Sequence, residues 1–256
     1  DAVAEAIATV RPRTVLVETI SNPLLNVVNL PAIADLAHAK GATVICDNTF
    51  ASPVLVNPAK FGVDLTMHST TKYLGGHGDV LGGVICGDAE RIGELGAVSR
   101  LAGGVMGPFE AWLTLRGLKT LPLRMRQQSE SASLIAAWLA QHPAIDCVFY
   151  PGYSCSSETA AIFNDDRRGG MVSFEIAGAG RDDGTPAGSG EHCCEGGNLG
   201  HDEIEQFFLV NISSRGPASL ASQTWAGRLE CPWQQPFGPA GTSGQTAPQA
   251  LPPADQ

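Results

Sequence analysis

The strongest constraint on the fold is an alternation. From Ala2 to about Phe174, short β-branched and apolar runs take turns with helical patterns, the signature of strand–helix–strand units and a parallel sheet. Thr14–Glu18 reads as a buried strand. Residues 30–40 then predict a helix: Pro31 suits the first helical position, where a missing N–H costs nothing, Ile33, Leu36 and Ala37 share a face, and Gly41 can take a left-handed stop. Residues 42–46, 63–67 and 83–86 read as further strands. Pro108 opens a helix whose apolar residues are Phe109, Trp112, Leu113 and Leu115, and a longer helix is expected over 123–141 with a kink at Pro122. Residues 145–150 and 171–176 read as strands of a second, smaller domain. After about Gly180 the chain turns rich in Gly, Pro, Ser and Gln, with one clear apolar run at 204–212, so an irregular tail is expected.

Three of these strands end in polar residues. Glu18 precedes Ser21, Asn22 and Pro23; Asp47 precedes Asn48 and Thr49; His68, Ser69, Thr70, Thr71 and Lys72 follow the third. Ligands of open parallel sheets bind just beyond the carboxyl ends of the strands, so these ends converge on one candidate site. Charge narrows the partners. Lys and Arg number 16 against 26 Asp and Glu, a formal net charge of -10, and no basic block offsets it, so nucleic acid and anionic membrane are poor partners. No apolar run is long enough to span a membrane. The seven cysteines are scattered and mostly lie in apolar runs such as 43–46 and 84–86, which predicts reduced core thiols and a cytoplasmic protein. The start at Asp1 carries no signal-peptide pattern, and the expectation is that it lies inside a domain.

A lysine just past a strand end, preceded by hydroxyl residues and partnered by an aspartate from an adjacent strand end, matches what pyridoxal phosphate requires. The Lys72 amine can bond the cofactor aldehyde, with desolvation and neighbouring positive charge making it a better nucleophile. Asp47 can hold the pyridine nitrogen protonated, which improves the ring as an electron sink. The hydroxyls of Ser69 and Thr71, two residues apart, can donate to the phosphate if the turn is extended; such bonds to a charged group contribute roughly 1.5 to 3 kcal/mol each.

The stretches Val17-Glu18-Thr19-Ile20-Ser21-Asn22-Pro23-Leu24-Leu25, Asp47-Asn48-Thr49-Phe50-Ala51-Ser52-Pro53 and Ser69 through Gly83 resemble the Cys/Met-metabolism family of pyridoxal-phosphate enzymes. The resemblance continues through Gly107-Pro108-Phe109-Glu110 and 116–125, and fades after Gly169-Gly170-Met171-Val172-Ser173-Phe174. It implies a fold-type-I pyridoxal-phosphate transferase: an α/β architecture with a mostly parallel sheet and flanking helices over 1–118, the start of a smaller α+β domain over 119–180, and an atypical tail over 181–256. It implies Lys72 as the Schiff-base lysine, Asp47 as the pyridinium partner, Ser69 and Thr71 as phosphate ligands, Asn22 near the cofactor 3′-oxygen and substrate carboxylate, and Glu18 and Thr49 as supports.

The implied reaction is γ-elimination or γ-replacement on sulfur amino acids or activated homoserine, of the cystathionine γ-synthase or γ-lyase type. Methionine γ-lyase or homoserine-ester sulfhydrylase chemistry is the alternative within the family. The implied partners are a small amino-acid substrate and further copies of the chain, as a dimer of dimers. The family's glycine-bearing phosphate loop, its ring-stacking aromatic, the Tyr and Arg lent by a neighbouring subunit, and the serine and carboxylate-clamping arginine near its end have no counterpart in this sequence. A non-catalytic remnant is therefore the competing reading. His68 and His77 read as packing or hydrogen-bonded support. His192, Cys193, Cys194 and His201 do not reproduce zinc-ligand spacing, and no metal is expected.

Overall fold

The computed structural model describes residues 2–177 and the strand at 208–211, all within the unit Asp1–Leu220. The first half runs α1 (Ala2–Val10), β1 (Thr14–Glu18), α2 (Leu30–His38), β2 (Thr43–Asp47), the single turn α3 (Ser52–Leu55), β3 (Leu65–Ser69), a wide helical turn Thr70–Leu74, and β4 (Gly83–Gly87). It continues with α4 (Ala89–Ala102), α5 (Pro108–Leu118), α6 (Leu121–Leu139), β5 (Ile145–Phe149), the short α7 (Pro151–Ser154) and α8 (Ser157–Ala160), β6 (Met171–Ile176) and β7 (Phe208–Asn211). Among the described residues no helix is long and apolar enough to cross a membrane.

The first sheet is mixed, in the order β1-β2-β3-β4, with β1, β2 and β3 parallel and β4 antiparallel to β3. The second is an antiparallel sheet β5-β6-β7, with α6 against β5 and β6. Helix α2 forms as its sequence predicts. Asn29 caps it by accepting from the Ala32 N–H at 3.2 Å, Pro31 sits in the first turn, Ile33, Ala34 and Ala37 are buried, and Gly41 follows at φ +71°. That face meets Val44 and Cys46 of β2, and the same core extends through Leu55 and Val56 to Met125 of α6 and Met171 of β6.

Several expectations are corrected. Strand β1 is not buried on both faces: among the described strands it pairs only with β2, its burial alternates, and Leu16 is exposed. Cys46 and Cys147 are buried free thiols, whereas Cys86 is exposed because β4 is the other edge of the described sheet. Pro122 kinks nothing. It falls in the first turn of α6, where no carbonyl waits for its absent N–H. Helix α4 was not anticipated; its signals are the Asp88 cap on the Arg91 N–H and the left-handed Gly103 beyond its end. The residues His192, Cys193, Cys194 and His201, and most of the expected irregular tail, lie outside the described residues; β7 falls in the apolar run 204–212.

One carboxylate joins three layers. Asp64 Oδ2 accepts from the Val44 N–H at 2.7 Å and lies 2.9 Å from His38 Nε2 at the end of α2, while Oδ1 is 3.1 Å from Arg91 of α4. Burial by itself raises the pKa of this carboxyl, but the Val44 N–H, His38 and Arg91 together hold it below its ordinary value of 3.8. A carboxylate depressed in the folded state stabilises fully above its unfolded pKa, and that contribution disappears as pH falls through the folded value. Asp64→Asn is expected to cost about 1.5 to 3 kcal/mol at neutral pH. In urea unfolding the gap from wild type should close as the pH is lowered through and below 3.8, because the protonated carboxyl and the amide then carry the same charge.

Candidate active site at the carboxyl edge of the sheet

The parallel strands end flush. Glu18 pairs in register with Asp47, and Asp47 with Met67, so the polar residues after each strand gather at one edge. Beyond the register the ladder continues, with the Thr19 N–H donating to the Asp47 carbonyl at 3.0 Å and the Asn48 N–H to the Met67 carbonyl at 2.9 Å. Thr49 then joins two strand ends. Its N–H donates to Asp47 Oδ1 at 2.9 Å, and its hydroxyl oxygen accepts the Ser69 N–H at 2.8 Å. The Asp47 carboxylate and the backbone of Ser69 are thus held from one residue.

Below them lies a fully buried polar layer. Thr19 Oγ1 donates to Asn48 Oδ1 at 2.7 Å, and Asn48 Nδ2 donates to the Val56 carbonyl at 3.0 Å. Thr19 has one proton, already given to Asn48, so its 3.0 Å contact with Cys46 Sγ requires the thiol to donate. Burial pushes the Cys46 thiol up to about 11, against the lowering effect of the Thr19 hydrogen bond, and so keeps that donor protonated.

Above this layer is a cavity of about 190 Å3 lined by Glu18, Asn22, Asp47, Thr49, Ser69 and Lys72, with Ile20 and Phe50 as its apolar walls. Asn22 is placed by a turn over 21–26, where the Ser21 N–H donates to the Asn26 carbonyl at 2.9 Å and Glu18 Oε2 accepts the Asn22 N–H at 3.3 Å. The Asn22–Pro23 peptide bond is cis. Lys72 interrupts the helical turn Thr70–Leu74, with φ -96° and ψ -124°. The lysine is exposed, not the desolvated amine expected from the sequence, because it stands at the strand-end surface.

Six of the seven residues singled out in the sequence, Glu18, Asn22, Asp47, Thr49, Ser69 and Lys72, line this one cavity. Thr71 does not. It lines a separate cavity of about 850 Å3 together with two glycine-bearing loops, 78–83 and 103–107, and its Oγ1 accepts the Gly82 N–H at 3.3 Å. The turn that interrupts at Lys72 sends the two hydroxyls to different cavities. His68 is buried in the sheet. Burial pushes its pKa down while the charge of Asp47 and the Asn48 carbonyl push it up, and it lines a third cavity away from Lys72. His77 Nδ1 lies 2.7 Å from the Gly75 carbonyl. No group of three His, Cys, Asp or Glu side chains among the described residues could hold a metal. Thr19 and Asn48 carry no role in the sequence reading, although each directly follows a strand-end acid.

The donor set fits pyridoxal phosphate: an amine for the aldehyde, a carboxylate for the ring nitrogen, a hydroxyl for the phosphate and an amide for a ring oxygen or a substrate carboxylate. The small volume suits one substituted ring. The chain belongs to the Cys/Met metabolism PLP-dependent enzyme family, whose description matches residues 1–186. Within it, the chain is similar to cystathionine γ-synthase of Mycobacterium tuberculosis, 48% identical over 178 residues that cover 69% of this chain and 46% of the relative. Cystathionine γ-lyase of Bacillus subtilis is 43% identical, covering 65% of this chain and 45% of the relative. O-succinylhomoserine sulfhydrylase of Pseudomonas aeruginosa is 43% identical, covering 68% and 44%. The crystal structure of cystathionine γ-synthase from Xanthomonas oryzae pv. oryzae in complex with cystathionine superposes with a TM-score of 0.66 at 41% identity, covering 69% of this chain and 46% of that one. The chain thus spans about half the length of the curated relatives it matches.

The Thr49 link can be tested directly. Thr49→Val keeps the shape but leaves the Ser69 N–H without its acceptor, and is expected to cost about 1 to 3 kcal/mol. Thr49→Ser should recover most of that loss in the same denaturant titration.

Proposed function

We propose that the Lys72 cavity is a pyridoxal-phosphate site serving γ-elimination or γ-replacement on a sulfur amino acid or activated homoserine. The observation that carries the reading is that Lys72, Asp47, Ser69 and Asn22, brought from three strand ends, line one cavity. Once bound, the cofactor supplies an electron sink for negative charge developing on a substrate carbon. Lys72 Nζ would hold the cofactor through its aldehyde and is the amine placed to take and return a proton at the substrate carbons. Asp47 accepts the ring N–H and keeps that proton in place, with the Thr49 N–H on Oδ1 fixing the carboxylate's orientation.

Ser69 Oγ donates to a phosphate oxygen. Thr71 stands outside this set, because its hydroxyl lines the separate cavity and accepts the Gly82 N–H. Asn22 directs its amide at the ring oxygen and the substrate carboxylate, and Glu18 holds the Asn22 backbone. Similarity extends to synthase, lyase and sulfhydrylase at 43% to 48% identity, so the proposal stands at the γ-carbon chemistry these share. Self-association belongs to the same reading. Phe109, Trp112 and Leu115 of α5 are all exposed, with Phe109 and Trp112 stacked at 6.0 Å, a surface of the kind that subunits cover. Trp112→Glu is expected to lower the mass measured by sedimentation.

The decisive test is incubation with pyridoxal phosphate, borohydride trapping and peptide mapping. Label is expected on Lys72 with a visible absorption band, both lost in Lys72→Ala. Label spread evenly over Lys40, Lys60 and Lys119 as well would overturn the proposal.

A further inference from the structure

We infer that Arg124 is a positioning residue for Lys72, fixing the turn that carries the lysine; the inference rests on the reading of Lys72 given above. Arg124 is an expensive residue where it stands. It lies in the first turn of α6, where the helix dipole disfavours a cation, and is only 8% exposed. Among the described residues no carboxylate is ion-paired with it, and burial alone lowers its pKa. A buried, unpaired charge is destabilising, so simple packing does not account for it.

Its fork joins the end of α5 to the backbone that follows Lys72. Arg124 Nε donates to Thr120 Oγ1 at 3.0 Å, and one terminal nitrogen donates to the Gly117 carbonyl at 2.9 Å, at the end of α5. The other terminal nitrogen has no hydrogen-bond partner and lies against Gly76. A Cβ on Gly76, at φ +72°, would come within 2.2 Å of that nitrogen. Beside it, a Cβ on Gly117 would come within 2.2 Å of the Gly75 carbonyl oxygen and 2.5 Å of that of Leu74.

The backbone of 74–76 is therefore packed closely against both the Gly117 backbone and the Arg124 guanidinium, which are bonded to each other. That same backbone closes the turn on Lys72: the Gly75 N–H donates to the Thr70 carbonyl at 2.9 Å, and the Gly76 N–H to the Lys72 carbonyl at 2.8 Å. A planar fork can bond the α5 end while presenting its face and remaining nitrogen to Gly76; an ammonium cannot do both.

The test has an arm that needs no cofactor. In Arg124→Met, amide hydrogen exchange at Gly75 and Gly76 is expected to rise about tenfold more than at reference amides in β2. Lys72 labelling by pyridoxal phosphate and borohydride should slow by about tenfold, with Lys40 and Lys60 unchanged. Arg124→Lys should fail to restore either. Should the Arg124 variants not fold, Thr120→Val, which removes the Nε partner together with the Thr120 hydroxyl's own 3.2 Å bond to the Gly117 carbonyl, should still raise exchange at the same two amides. Exchange rising evenly over α5 and α6, with Lys72 labelling per folded molecule unchanged, would overturn the inference. A wild-type chain that takes no label on Lys72 would instead overturn the cofactor reading, and the exchange arm would still decide whether Arg124 holds the turn.

Discussion

Parallel strands can be paired in many registers, and a slip of one residue turns every side chain to the opposite face. In this chain the register is fixed where Glu18 meets Asp47 and Asp47 meets Met67. The apolar alternation of β2 sets it, since Val44 and Cys46 must face the core. Once those two are inward, Asp47 is carried to the edge with its side chain half-buried, and the residues after Met67 arrive beside it. Everything at the site hangs on this alignment, including the reach of the Thr49 hydroxyl to the Ser69 N–H.

The buried layer beneath the cavity holds that alignment through directional bonds. Thr19, Cys46 and Asn48 come from two neighbouring strand ends, and each bond satisfies a group that could not otherwise be buried without loss. Such a layer constrains geometry more than apolar packing does, because a small displacement breaks hydrogen bonds outright.

Much of this was legible in the sequence. The strands and α2 with its stop follow from period and turn chemistry, and Asp47, Ser69 and Lys72 from the polar strand ends, while Asn22 and Thr49 are singled out by the family resemblance. What escaped depends on tertiary context. Whether a run such as 14–18 or 83–87 is flanked on both sides is not written in the run itself, so the exposure of Leu16 and Cys86 could not be read locally. Helix α4 has no buried residue, hence no apolar period to betray it. The spacing of Ser69 and Thr71 assumed an extended turn, whereas the backbone coils at Thr70. Thr19 and Asn48 look like any loop-polar residues until the register stacks them.

The carboxylate and the amine proposed for the cofactor have different supports. Asp47 hangs from the sheet through the ladder and Thr49, while Lys72 sits on a turn tied to the sheet by the Thr70 N–H and pressed as well against Gly117 and Arg124. A shift of the helical layer therefore reaches the amine before the carboxylate, with every strand and helix still formed. The spacing of the two groups is a matter of tertiary packing, and chirality in the far ultraviolet, which reports helix and strand content, is a poor witness to it.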